Sequence, residues 1–351
     1  MTIKVGSDFS GVGAFNQALM RLGIDYDEVF ACDMDKYARQ TFIHNYGEPK
    51  YYPTNVYDRQ IPSESLDIYM TSPPCQAFSL AGKRLGKEDQ RGILFFNSLE
   101  FIRVNKPRYF IFENVKGLLS DDNGRTFSEW VNLLGGKSCN GNVTMFPYND
   151  AVPYHIYWKV LNAKNYGVPQ NRERVFIIGI RDDADNNFNW PMEEVLSKRL
   201  KDVLEEEVLV KFNLSKEATE GDSINLSQPS SKTRRGRVGK GVAQTLDTGC
   251  NQGVMVGDYR TDEGFRWRED GNSPCIMASM RDNFNENYTA QNPPIINKDY
   301  KIRRLTPREC FRLMDFPDTF TWPVSDSQAY KQAGNSIVVN VLAKIIKNLN
   351  I

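Results

Sequence analysis

Three short runs in this chain carry side chains suited to covalent chemistry on a polar substrate. The first is Ser72-Pro-Pro-Cys75-Gln76, where two prolines stiffen the backbone just ahead of a cysteine. The apolar stretch Asp67-Ile-Tyr-Met-Thr71 reads as a strand that delivers Cys75 to a strand end. A free cysteine is most often a small buried hydrophobe. Here the polar, glycine-containing segment from Gln76 to Gly92 favours an accessible nucleophile instead. The second run is Glu113-Asn-Val115, at the end of the strong strand pattern Arg108-Tyr-Phe-Ile-Phe-Glu113. A carboxylic acid beside a nucleophile does general acid work when burial raises its pKa; alone, Glu113 would read as a helix cap. The third is Gln170-Asn-Arg172-Glu-Arg174. Its alternating arginines project to one side of an extended segment, where they would hold a carbonyl or a phosphate, or merely brace a strand edge.

A fourth run, Phe9-Ser10-Gly11-Val-Gly13, lies between a strand pattern (Lys4 to Ser7) and a helix pattern (Ala14 to Leu22). Glycines there permit a tight turn and close approach to a ligand, and Asp33, after the next strand, is spaced to accept from ribose hydroxyls. The pattern fits any nucleotide-type cofactor and equally a bare βα turn.

The elements needed to position these runs are legible. Strand patterns at Glu28–Ala31 and Arg174–Ile180 and helix patterns at Asp35–His44 and Gly92–Val104 alternate through the first half, as a βαβ architecture requires. After Arg181 the chain turns polar and loop-rich until about Lys301, and Ser336–Leu349 has apolar residues at helical spacing. The expected class is α/β, with domains at 1–181, 182–302 and 303–351, the last returning to the first.

Composition removes several alternatives. The 351 residues, 25% charged and 40% apolar, suit a soluble globular protein with one large core and a smaller lobe. No N-terminal apolar run suggests a leader or a membrane span, so a cytoplasmic location is the default. The six cysteines form no CxxC pair and only His44 and His155 are available, which argues against a metal site or a disulfide framework. Net charge is zero, but Lys232-Thr-Arg-Arg-Gly-Arg-Val-Gly-Lys240 is locally basic, a phosphate footprint or a solvated loop.

Taken together and in order, the four runs, with Asp33-Met-Asp35, Gly92-Ile-Leu-Phe95, Arg304-Leu-Thr-Pro-Arg-Glu309 and Gly334-Asn-Ser336, resemble the C5-cytosine DNA methyltransferases, especially the compact bacterial restriction-modification type. Similarity covers both ends of the chain and spares the middle. The resemblance implies a Rossmann-like, S-adenosylmethionine-dependent methyltransferase sheet with a second, loop-rich target-recognition domain. It implies that Cys75 adds to cytosine C6, that Glu113 engages N3 and the exocyclic amine, and that Arg174 with Arg172 orients the base. Phe9, Ser10, Gly11, Gly13, Asp33, Met34, Asn55, Pro74, Leu94, Asn335 and Ser336 would bind the cofactor. Ser79 and Lys83 would lie on a mobile loop over a flipped base, and no metal is expected. The chain departs from the family pattern at Ser7, where an acidic residue is usual; its acid, Asp8, is shifted next to Phe9.

The implied substrate is double-stranded DNA. Arg234, Arg235 and Arg237 would read bases or neutralise phosphates, and Thr245-Leu246 is similar to the family's short signature in its variable region. A monomer is expected, with a cognate restriction endonuclease as its functional partner. The rival within the family is a tRNA cytosine-5 methyltransferase, whose Cys-Phe-Thr signature this chain lacks. A nicotinamide-dependent oxidoreductase would leave the Pro-Pro-Cys and Glu-Asn-Val runs without a role.

Overall fold

The computed structural model describes residues 2–74, 92–184, 187–205, 222–225, 238–246, 252–256, 259–260, 264–265 and 301–351. Its first half alternates strand and helix: β1 (Ile3–Asp8), α1 (Ala14–Arg21), β2 (Tyr26–Cys32), α2 (Lys36–Tyr46), β3 (Ile68–Thr71), α3 (Gly92–Asn105) and β4 (Tyr109–Val115). A short 3-10 stretch leads into α4 (Arg125–Leu134), followed by the two-residue strands β5 (Ser138–Cys139) and β6 (Asn142–Val143), then β7 (Tyr154–Asn162), β8 (Gln170–Asn171) and β9 (Glu173–Arg181).

Eight of these strands form one sheet in the order β2-β1-β3-β4-β9-β7-β5-β6. The first four are parallel, and β9 runs antiparallel between β4 and β7. The chain moves from β1 outward to β2, then returns to the other side of β1 for β3. Open α/β sheets bind ligands at that reversal, in the crevice beyond the carboxyl ends of the strands. The runs beginning at Phe9 and Ser72 emerge there.

Both faces of the sheet are covered, which is why its strands read as continuous apolar runs. Ile68, Met70, Ile111 and Ile178 face one core, shared with α1 and the C-terminal helices. Tyr69, Phe110, Phe112 and Ile177 face the other, shared with α3 and α4.

The smaller sheet joins β10 (Ser223–Asn225), β11 (Val238–Gly239), β13 (Gln252–Val256) and β16 (Lys301–Arg304), ordered β11-β10-β13-β16. β12 (Ala243–Gln244) instead pairs in parallel with β8, while β14 (Tyr259–Arg260) pairs with β15 (Gly264–Phe265). Residues 187–205 belong to the large core rather than to this sheet, through Phe188, Leu200 and Val203.

The chain then returns through α5 (Pro307–Leu313), α6 (Asp326–Asn335) and α7 (Val339–Lys347). α5 begins with a capping box, Thr306 Oγ1 accepting from Glu309 N and Glu309 Oε2 accepting from Thr306 N. Glu309 is fully buried and its other oxygen accepts from Glu205 N at 2.7 Å, so the Thr-Pro-Arg-Glu run is scaffolding. The tail packs on α1 as its apolar spacing predicts, but the helix is shorter than Ser336–Leu349. Ser336 and Val338 are extended, and the Gly334 and Ser336 carbonyls accept from Arg172.

Candidate active site

The carboxyl end of β1 turns abruptly. Phe9 adopts φ 57°, and Gly11 and Gly13 follow at φ 56° and 82°. A left-handed phenylalanine costs of order 1–3 kcal/mol and persists only where its surroundings over-determine it. Here they do: Ser10 N donates to Cys32 O at 3.0 Å, and Gly11 N donates to Asp33 Oδ2 at 2.8 Å. A Cβ at Gly13 would lie 2.2 Å from the Tyr46 ring, so α1 can start close to α2 only with glycine at that place.

Asp33 also accepts from Asp35 N through Oδ1 at 2.8 Å. Burial pushes its carboxyl upward against these two donors. Each oxygen uses one acceptor position and retains another. Asp35 caps α2, accepting from Tyr37 N and Ala38 N and pairing with Lys331 at 2.6 Å. Met34 between them is 85% exposed. Phe9 and Leu94 are both half-buried against the α3 core. Asn55 Oδ1 accepts from Tyr57 N at 3.0 Å, an Asx turn that leaves its amide nitrogen available to a ligand. Ser10 Oγ lies 3.3 Å from the Tyr52 hydroxyl. This concave turn, with aromatic and aliphatic walls and a buried acid at the sheet edge, fits a nucleoside-bearing cofactor such as S-adenosylmethionine.

Beside it, the ends of β3 and β4 are tied together. Asn114 Nδ2 donates to Pro73 O at 3.3 Å, and Asn114 Oδ1 accepts from Val115 N. Pro74 is exposed. Cys75, Ser79 and Lys83 lie outside the described residues, as do Arg234, Arg235 and Arg237.

Glu113 is 7% exposed, on the same sheet face as Arg174, whose Nε meets Glu113 Oε1 at 3.0 Å. Burial pushes the Glu113 carboxyl above the usual range, opposed by Arg174 and more weakly by Arg172. An acid in this setting holds a proton more readily than an exposed carboxyl does.

The two arginines of the Gln-Asn-Arg-Glu-Arg run therefore separate. Arg174 is at the carboxylate. Arg172 is 3% exposed and donates to three carbonyls: Leu246 O at 3.0 Å, Gly334 O at 3.0 Å and Ser336 O at 2.7 Å. Gln170 completes the junction, donating to Leu313 O at 2.6 Å and accepting from Leu246 N at 3.3 Å. Thr245 Oγ1 donates to Asn171 O at 2.8 Å. Thr245-Leu246 thus docks on β8 and on Arg172, and Asn335 sits exposed beside the Gly334 and Ser336 carbonyls.

One cluster has no counterpart among the sequence-based expectations. Asp8, fully buried, accepts from Arg59 Nε at 2.8 Å and from the Tyr69 hydroxyl at 2.6 Å. Both of its oxygens are thereby engaged by buried side chains. Adjacent Ser7 Oγ is buried without a hydrogen-bond partner among the described residues. Apart from the unusual acid beside Phe9, the linear sequence contains no sign that Arg59, some fifty residues on, is its partner.

Comparison with known proteins shows the family. The family model for C-5 cytosine-specific DNA methylase matches residues 3–350. The chain belongs to that family and is a DNA cytosine-5 methyltransferase. It is 31% identical to the orphan methyltransferase M.SPRI of Bacillus phage SPR, over 99% of this chain and 97% of that protein. It is 35% identical to the type II methyltransferase M.HhaI of Haemophilus parahaemolyticus, over 97% and 92%. Among solved structures, the S. pombe Dnmt2 methyltransferase has the same fold, with a TM-score of 0.61 at 17% identity over 98% of this chain and 97% of that one. Among the described residues no helix is long and apolar enough to cross a membrane, and no cluster of His, Cys, Asp or Glu could hold a metal ion.

Proposed function

We propose that the enzyme methylates C5 of a flipped-out cytosine within a specific duplex DNA sequence, through covalent addition of Cys75 to the base. The observation that carries this is the buried Glu113–Arg174 pair, held against the Pro73-Pro74 segment by Asn114. S-adenosylmethionine, when bound in the turn after β1, supplies an electrophilic methyl group. Cytosine C5 is a poor nucleophile, and addition of the Cys75 thiolate to C6 turns the ring into an enamine. Glu113 holds its proton at N3 and the exocyclic amine, so negative charge does not accumulate on the ring during addition. Arg174 keeps Glu113 oriented and offers its remaining donors to the base carbonyl O2. After methylation the C5 proton leaves to a base, and the electron pair it leaves behind expels Cys75. A stacked base would be out of reach, and flipping it costs about a few kcal/mol.

In this reading Phe9, Gly11, Asp33, Asn55, Leu94 and the Gly334–Ser336 segment line the cofactor pocket. Residues 1–205 and 303–351 form the catalytic domain, 187–205 joining it through the large core, and the polar region between them reads the target. Arg172 supports the junction instead of touching the base, and Thr245 assists docking. The restriction-modification relatives favour a role as the modifying partner of an endonuclease in the cytoplasm.

The test is methyl transfer from radiolabelled S-adenosylmethionine to duplex DNA and, separately, to tRNA. DNA carrying 5-fluorocytosine at the target should trap the wild-type enzyme through Cys75, because the C5 proton cannot leave. Trapping at another cysteine, or labelling of tRNA alone, overturns the proposal.

A further inference from the structure

The buried cluster at the end of β1 joins three segments, each bearing a wall of the proposed cofactor pocket. Asp8 immediately precedes the left-handed Phe9. Arg59 comes from the loop that carries Asn55, four residues earlier. Its guanidinium lies 4.6 Å from the Phe101 ring centroid and its Nη2 lies 3.5 Å from Asn97 O, both on α3, the helix that carries Leu94. Tyr69, stacked on Phe101 at 4.1 Å, closes the set from β3 by donating to Asp8.

Stability alone does not explain these residues. The Arg59 and Asp8 side chains are 2% and 0% exposed, and Arg59 Nη1 is buried without a partner among the described residues. A buried ion pair is often matched or exceeded in stability by apolar residues of similar volume, because desolvating both charges offsets their attraction. An apolar set would fill the same space but would not fix one rotation of the β1 tip against the loop and the helix. A directional bond between Asp8 and a stacked guanidinium does.

We propose that Arg59 is a positioning residue for the S-adenosylmethionine pocket, acting through Asp8 to hold the Phe9 turn in register with the Asn55 loop and the Leu94 face of α3. The inference rests on the reading that this pocket binds S-adenosylmethionine. It touches neither the reacting base nor the methyl group.

The test compares wild type with Arg59→Lys and with the charge-free double variant Asp8→Leu/Arg59→Met. Cofactor Kd is measured by calorimetry, thermal stability by calorimetric scanning, and kcat at saturating cofactor by methyl transfer. The double variant removes both buried charges together, which avoids leaving either one unpaired, and the thermal scan checks that it folds. Its Kd and KM for S-adenosylmethionine should rise about tenfold or more, with kcat and the KM for DNA changed less than about threefold. Arg59→Lys, which keeps a charge beside Asp8 without the planar fork, should fall between the two. A double variant that binds the cofactor within about twofold of wild type refutes the positioning role, as does a loss of affinity that merely follows a loss of thermal stability. A wild-type chain that does not bind S-adenosylmethionine refutes the cofactor assignment itself.

Discussion

Replacing Arg172 and Arg174 one at a time by methionine tests whether the two arginines do different work. Arg172 gives hydrogen bonds at 2.7–3.0 Å to the carbonyls of Leu246, Gly334 and Ser336, and is almost fully buried. Bonds involving a charged donor contribute about 1.5–3 kcal/mol each, and three acting independently would sum to about 5–9 kcal/mol. They do not act independently, and methionine also relieves the desolvation of a buried cation, so about 3–5 kcal/mol is the expected loss. Arg174 has a smaller structural part. It bonds to Glu113 and to Glu173 O, and its side chain retains 16% exposure. On its removal Glu113 can take up a proton instead of remaining an unpaired buried charge, so the loss should be about 1 kcal/mol. The assay is urea unfolding of each variant, alongside kcat and the KM values for DNA and cofactor. Arg172→Met should shift the unfolding midpoint strongly, and its residual folded fraction should show impaired coupling of DNA binding to methyl transfer. Arg174→Met should unfold nearly as wild type does, with kcat reduced by about tenfold or more. If Arg172→Met keeps wild-type stability and loses as much kcat as Arg174→Met, the carbonyl junction is not its role and the argument from geometry is wrong.

Three further outcomes are expected. Glu113→Gln should lower the methyl-transfer rate by about 10²–10⁴-fold with little effect on cofactor Kd. Because burial raises the Glu113 carboxyl, the wild-type rate should fall as pH rises through that raised value, and a pH profile of the Gln variant that keeps this limb would contradict the assignment. Glu28, beneath α1 and accepting from Asn16 at 3.0 Å, is pushed by burial to about 7. Between its ordinary value near 4.5 and about 7 the unfolded chain ionises while the folded one does not. Stability should therefore fall by up to about 3 kcal/mol across that window and stay low above it. Glu28→Gln should remove this slope in urea unfolding, and an unchanged slope would refute it. Gly13→Ala, which adds a Cβ 2.2 Å from the Tyr46 ring at a φ of 82°, should weaken cofactor binding by about tenfold or more and lower stability by about 1–3 kcal/mol. Unchanged calorimetric affinity would mean the turn does not shape the pocket.

Much of this molecule is determined by local patterning. The βα alternation, the glycine turn after β1 and the acid after β2 all depend on residues close in sequence, and they appear where the pattern predicts. So does the α/β class, because strands buried on both faces must be apolar throughout. Local patterning did not reveal β7, whose Tyr154–Asn162 run mixes polar and aromatic residues and becomes a strand only by pairing with β9. Nor did it assign residues 187–205 to the large core, since Phe188, Leu200 and Val203 are scattered apolar residues in a polar stretch until a surface is there to receive them. The functional residues divide in the same way. Residue type and order singled out Glu113 and Arg174, which the fold brings together in one ion pair. Spacing could not distinguish Arg174 from Arg172, two residues away on the same extended segment, because what separates them is the set of carbonyls brought from positions 246, 334 and 336. Asp8 was visible only as a misplaced acid, since its meaning depends on Arg59 and Tyr69, which the chain supplies from a loop and a neighbouring strand. A hydrogen-bond partner distant in sequence is chosen by the packed fold, and the linear pattern contains no term for it.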